Sequence, residues 1–179
     1  MIATLNSSTA RMNDLLARLS QHNKARPEEP RAIAIGSIVA NVAAAKRPAH
    51  PVVLTGDTAL FAVADPVRLE AALAHLVQNA IEASAASEPV TLAIKPDGAG
   101  TIIEITDKGC GMTPDFLHGQ LFRPFASTKN GGFGIGAYEA RALIVAMGGW
   151  LSVSSEPGVG TCFTIRLRGA TGWVGERAA

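Results

Sequence analysis

Residues 65–86 read DPVRLEAALAHLVQNAIEASAA, and the reading of this stretch decides the fold. Asp65 offers a side-chain acceptor at a helix N-cap. Pro66 suits the first helical position, where its missing N–H costs nothing. With a turn of roughly 100° per residue and His75 set at zero, Leu69, Leu73, Leu76, Val77, Ala80 and Ile81 fall between about 100° and 240°. Gln78, Glu82, His75 and Asn79 fall together in an arc of about 100° on the other side. The stretch therefore predicts one long helix with an apolar face for a core and a narrow polar stripe opposite. On an arbitrary helix such a stripe is a solvated face. Here two glycine-rich stretches, DKGCGM (107–112) and GGFGIGAY (131–138), give it something to face.

Working outward, VTLAIKP (90–96) and TIIEITD (101–107) alternate strongly and predict a hairpin. WLSVSSE (150–156) and TCFTIRLR (161–168) predict a second hairpin around PGVG, preceded by a helix over AYEARALIVAMGG (137–149) that glycines end. Upstream, RAIAI (31–35) reads as a strand and GSIVANVAAAKR (36–47) as a helix broken by PAHP. VVLTG (52–56) and LFAVA (60–64) are β-rich runs around a turn at Gly56-Asp57. Residues 108–135 have no period, are rich in glycine and contain two prolines, which suggests a functional lid. Phe122 and Phe125, three apart within it, are expected to anchor it on the core. Strands interspersed with helices predict an α/β (α+β) fold, a two-layer sandwich of a mixed, mostly antiparallel sheet of about five strands on three helices.

Residues 1–22 form one long N-terminal helix in this reading. Ile2, Leu5, Thr9, Met12, Leu16 and Leu19 make a heptad seam. A lone helix of this length is marginal in water, so the seam calls for a partner, most simply a second copy of the chain. NKARPEEP (23–30) is a polar hinge. Hydrophobic residues are 47% of the chain and charged residues 17%, so a packed core is expected and general disorder is not. A net charge of +1 argues against a nucleic-acid partner. The two cysteines have neither zinc spacing nor a disulfide framework. No apolar run approaches the roughly 18 residues of a membrane span. No membrane contact is expected for these residues.

Taken one at a time, the chemical stretches are weak. Asp107 ends a strand, where a carboxylate either recognises a ligand or caps a turn. GGFGIGAYEAR opens a helix, whose freed N–H groups can hold an anion. It follows no strand and lacks the third glycine of a dinucleotide fingerprint, and the chain has no GxxxxGK[ST]. Lys129 is a cation beside these glycines. The order of the pieces is what is specific. The chain resembles the GHKL (Bergerat-fold) ATP-binding superfamily over about residues 31–168, and within it the sensor histidine kinases. DPVRLEAALAHLVQNAIEAS resembles their N box. DKGCGM, LFRPFASTK, GGFGIGAY and PGVGT resemble the G1, F, G2 and GT boxes. LFRPFASTKNGGFGIGAYEARALIVAMGG looks closest to the kinases linked to bacterial exosortase/PEP-CTERM systems, the PrsK type.

The resemblance implies a role for each matching position. Asn79 lends its side-chain oxygen to Mg2+, with Glu82 and Gln78 behind it. Asp107 accepts from the adenine amine, supported by Thr161 through water. Gly109, Gly111 and Met112 shape the adenine pocket, and Phe122, Phe133 and Ile135 line the rest. Gly132, Gly134 and Gly136 give backbone donors to the phosphates, and Lys129 reaches the terminal ones. His75 stands where the ATP-hydrolysing branches carry a glutamate base, which favours phosphotransfer over hydrolysis. Asn79, Lys129 and His75 are thus the implied catalytic set. The implied function is binding of Mg-ATP, release of ADP and delivery of the γ-phosphate to a histidine on an upstream helix, for relay to a response regulator receiver domain. The implied domains are a dimerisation helix (1–26), the catalytic domain (27–169) and a disordered tail (170–179). The implied location is cytoplasmic, in a protein that upstream segments can anchor in the inner membrane. A GHKL ATPase and an anti-sigma-like serine kinase or nucleotide-binding regulator stay open as alternatives.

Overall fold

The computed structural model describes residues 28–98, 100–127 and 134–170. The N-terminal helix with its dimer seam, Lys129, Gly132, Phe133 and the tail from 171 on lie outside the described residues. The elements run β1 (Arg31–Ala34), α1 (Ile35–Lys46), β2 (Val52–Gly56), β3 (Phe61–Ala64), α2 (Pro66–Ala83), β4 (Val90–Asp97), β5 (Gly100–Asp107), α3 (Pro114–Gly119), α4 (Gly136–Ala146), β6 (Trp150–Glu156) and β7 (Gly160–Leu167).

The central helix α2 begins as its sequence dictates. Asp65 Oδ1 accepts from the backbone N–H groups of Val67 and Arg68 at 2.9 and 3.1 Å. Its Oδ2 lies 3.4 Å from the Arg68 guanidinium, so a fully buried carboxylate is paired. Leu69, Ala72, Leu73, Leu76, Val77 and Ala80 are buried along one face. Ile81, expected with them, is half-buried at the margin of the core, and Ala72 takes its place inside. Each fully buried Leu contributes roughly 1.5–3 kcal/mol.

The sheet order is β2-β4-β5-β7-β6. Among the described strands, only β2 and β4 run parallel, in the register Val52 opposite Val90. Both predicted hairpins form, β4 with β5 and β6 with β7. β5 and β7 bury alternate residues, so one face of the sheet meets the helices. α2 packs on that face between α1 and α4. β2 and β3, on either side of the turn at Gly56-Asp57, do not pair with each other. β3 pairs instead with β1 in a separate two-stranded ribbon, Arg31 opposite Ala64. The ribbon is stitched to the main sheet where Val63 N–H donates to the Arg168 carbonyl and Thr101 Oγ1 to the Phe61 carbonyl.

Two local expectations change. Ile35 belongs to α1 and not to β1, because its N–H donates to the Leu60 carbonyl and its side chain enters the core. Within the glycine-rich stretch, Pro114–Gly119 is helical. Thr113 Oγ1 accepts from the Phe116 N–H there, Pro114 takes the first position and Asp115 the first turn, three features that favour a helix start.

Candidate nucleotide site

The site lies where the helix-covered face of the sheet turns polar. Across β5, β7 and β6 the register sets Ile105, Phe163 and Val153 side by side, and the next row toward this end is Asp107, Thr161 and Ser155. Residues directly opposite in a sheet share a face. Asp107 and Thr161 are 4% and 7% exposed, so an acidic and a hydroxylic group sit at the floor of a helix-covered layer. Asp107 Oδ1 accepts the Gly109 N–H at 2.8 Å. Thr161 Oγ1 lies 2.9 Å from Ser155 Oγ.

The loop 108–112 closes over this row because its glycines permit it. A Cβ on Gly109 would collide with the Ala83 carbonyl at the end of α2, and one on Gly111 (φ +65°) with the Glu156 carbonyl. The loop is tied from several directions. Cys110 N–H donates to Ala83 O, Gly158 N–H to Cys110 O, and Met112 N–H to Ser155 Oγ. Met112 packs on the edge of the core.

The polar stripe of α2 divides in two. His75 and Asn79 face α4. His75 Nε2 lies 3.3 Å from Glu139 Oε2, and a Cβ on Gly136 would come within 3.3 Å of Asn79 Oδ1. Gln78 turns the other way: its Nε2 donates to Glu82 Oε1 at 3.0 Å and its Oε1 accepts from Lys46 Nζ on α1 at 2.9 Å. α4 starts after Ile135 with no cap from that side chain, and its first turn, the positive end of the helix dipole, lies beside Asn79.

Of the second glycine stretch, residues 134–138 are described. Gly134 (φ +65°) is pressed on the Ala126 carbonyl, where no Cβ fits. Phe122 is half-buried, with the Arg141 guanidinium 4.8 Å over its ring. Phe125 does not anchor the loop as expected. It is 71% exposed at φ +65°, since the backbone there turns back toward Gly134 and aims the ring outward. Among the expected residues, Asp107 and Thr161 meet in one row with Gly109, Gly111 and Met112 above it. Asn79, Gly136 and His75 meet at the α2–α4 junction, and Glu82 lies one turn along. Three further residues went unnoticed in the sequence. Ser155 was readable from the hairpin, whose register puts it opposite Thr161. Glu139 was readable as an acidic residue in the first turn of α4. Lys46, at the end of α1, left no trace.

The model of the family described as histidine kinase-, DNA gyrase B-, and HSP90-like ATPase matches residues 64–171. The sensor protein TorS of Escherichia coli (strain K12) is 35% identical over 116 residues, which cover 64% of this chain and 12% of that protein. The chain therefore spans a small part of the relatives it matches. The fold is that of the mycobacterial sensor histidine kinase MprB, with a TM-score of 0.70 at 21% identity over 78% of this chain and 97% of that one. Full-length ShkA in complex with AMPPNP superposes with a TM-score of 0.68 at 25% identity, over 80% of this chain and 32% of that one. No helix among the described residues is long and apolar enough to cross a membrane. The chain belongs to the family of histidine kinase-, DNA gyrase B- and HSP90-like ATPases and carries that family's domain in the form found in sensor histidine kinases.

Proposed function

We propose that the chain binds ATP with Mg2+ and, as the catalytic domain of a sensor histidine kinase, supplies the γ-phosphate to an acceptor histidine on an upstream helix, releasing ADP. The phosphate then passes to a response regulator receiver domain. The observation that carries this reading is the buried carboxylate of Asp107 under a glycine loop tied down on every side. A buried acceptor of this kind selects a ligand that brings a donor, as the adenine amine does and the guanine oxygen does not. Such sites reject the wrong group by up to about 10⁴-fold.

The α2–α4 junction fits a metal-bound phosphate. The missing Cβ of Gly136 leaves room against the Asn79 amide, and an amide oxygen is a hard donor of the sort Mg2+ takes. In this reading Asn79 would hold Mg2+, and the chemistry the ion would supply there is charge neutralisation on the phosphates. The first turn of α4, Gly134 and Gly136, together with Lys129 and Gly132, receives the phosphates. Met112, Phe122, Phe133 and Ile135 line the pocket. The heptad seam supports pairing of residues 1–22 with a second copy. In this reading residues 1–26 are the dimerisation helix, residues 27–169 the catalytic domain and residues 170–179 a disordered tail. ATP supply and the receiver partner support a cytoplasmic location. Two histidines are badly disposed as acceptors. His50 is buried against the Glu88 carbonyl, and His75 is paired with Glu139.

Calorimetric titration with ATP and with GTP, each with and without Mg2+, tests the proposal. Tight binding of ATP and weak binding of GTP are expected; equal affinities would sink it. One observation favours a second reading, ATP hydrolysis. An imidazole held by a carboxylate, as His75 is by Glu139, is an arrangement that can serve as a general base. Steady phosphate release by the wild-type chain, lost in His75→Ala, is the mark of that reading.

A further inference from the structure

Ser155 stands at a junction of three hydrogen bonds whose directions are fixed. The hydroxyl has one hydrogen to give and two lone pairs to receive with. Met112 N–H, a donor only, points at Ser155 Oγ from 2.9 Å. The Gly160 carbonyl, an acceptor only, lies 2.9 Å from the same oxygen. Two oxygens at that distance attract only with a hydrogen between them, so the Ser155 hydrogen goes to Gly160. Thr161 Oγ1, also 2.9 Å away, is left with one option, which is to donate to the second lone pair of Ser155. The Thr161 hydroxyl has then spent its hydrogen and turns only lone pairs to the other side. Its strand partner on that side is Asp107, whose carboxylate also only accepts.

We propose that Ser155 is a specificity-determining positioning residue: by taking the hydrogen of Thr161, it fixes the floor beside Asp107 as acceptor-only and so selects a 6-amino purine over a 6-oxo purine. The inference rests on the reading of this site as a nucleotide pocket and adds the source of its polarity. A Thr161 free to rotate would turn its hydrogen outward and donate to the 6-oxo group of guanine or hypoxanthine. Held by Ser155, it refuses both. The arrangement is also rigid, because Met112 of the glycine loop, Gly160 of the β6–β7 turn and Thr161 of β7 meet at a single oxygen. Ser155 touches no base itself in this account and acts through Thr161.

The test is a double-mutant cycle read as the ratio of ATP to GTP affinity, with ITP as a third probe, by calorimetric titration. Ser155→Ala should lower the ratio by about tenfold, the worth of one hydrogen bond, mainly by improving GTP and ITP. Ser155→Thr, which keeps the hydroxyl, should restore it. Thr161→Val should lower the ratio by weakening ATP, and adding Ser155→Ala to it should change the ratio no further. Equal loss of ATP and GTP affinity in Ser155→Ala overturns the proposal, since that is what a role in loop-holding alone predicts. So does an equal fall of the ratio in the Thr161→Val background. Should Ser155→Ala fail to fold, an unchanged ratio in Thr161→Val overturns it alone. Wild-type protein that binds neither ATP nor GTP would instead refute the nucleotide pocket, a result the variants are not needed to see.

Discussion

The two segments that follow β5, the loop 108–112 and residues 113–127, are neighbours in the chain and unlike in how they are held. The loop 108–112 is fastened to residues far away in the chain: Ala83 at the end of α2, Ser155 in β6 and Gly158 in the last turn. From 113 to 126, backbone hydrogen bonds run to neighbours within five positions, as from Leu121 to Phe116 or from Ala126 to Arg123. Bonds of long sequence separation break only when the fold opens, whereas a local turn can open alone. One wall is therefore built with the core and the other is added to it. The base of a nucleotide, small and flat, needs a preformed acceptor. A triphosphate, long and hydrated, is better met by a segment that can come to it.

Four changes press on this contrast. The largest effect is expected for Asp107→Asn on the rigid side. It should weaken ATP by about 100-fold, or roughly 3 kcal/mol, with little change in thermal unfolding, because the amide oxygen still accepts from Gly109 while its NH2 faces the adenine amine. Gly111→Ala comes next and acts on the fold as well. The left-handed backbone and the Glu156 carbonyl leave no place for a methyl, so a loss of about 2 kcal/mol in denaturant unfolding is expected. Asn79→Ala should weaken ATP about tenfold when Mg2+ is present and little when it is absent. Its unfolding midpoint should stay well above that of Leu76→Ala one turn away, where roughly 2–5 kcal/mol of core packing is lost. A melting loss as large as that of Leu76→Ala would assign Asn79 to the core. The smallest effect belongs to the adaptable side. Phe125→Ser should change stability by less than about 0.5 kcal/mol, since the ring is already in solvent. Amide exchange should run faster across 113–127 than across 107–112 without nucleotide, and should slow on adding ATP.

What the sequence made legible follows the same division between local and distant causes. The start of α2 was readable because Asp65 and Pro66 act on their immediate neighbours. Both hairpins were readable because alternation and a short turn lie side by side in the chain. The parallel pairing of β2 with β4 and the ribbon of β1 with β3 were not. Four- and five-residue strands without a shared turn carry no local mark of their partner. Asp107 and its glycines stood out because a strand end and a turn are sequence events. Ser155 carries no mark of its own and becomes readable only through Thr161, which the hairpin register sets opposite it. The helix Pro114–Gly119 was passed over because glycine content outweighed the start marked by Thr113, Pro114 and Asp115. Phe125 was misread because aromatic spacing says nothing of a residue at positive φ.

The contact of Gly134 with the Ala126 carbonyl has a consequence for length. It holds Ala126 against Gly134, so the chain leaves and re-enters the described part of the fold at one point. The entropy of closing a chain segment grows slowly with its length, by about 0.6 kcal/mol for each doubling. An insertion between 127 and 133 should therefore cost the fold little while Ala126 and Gly134 stay together.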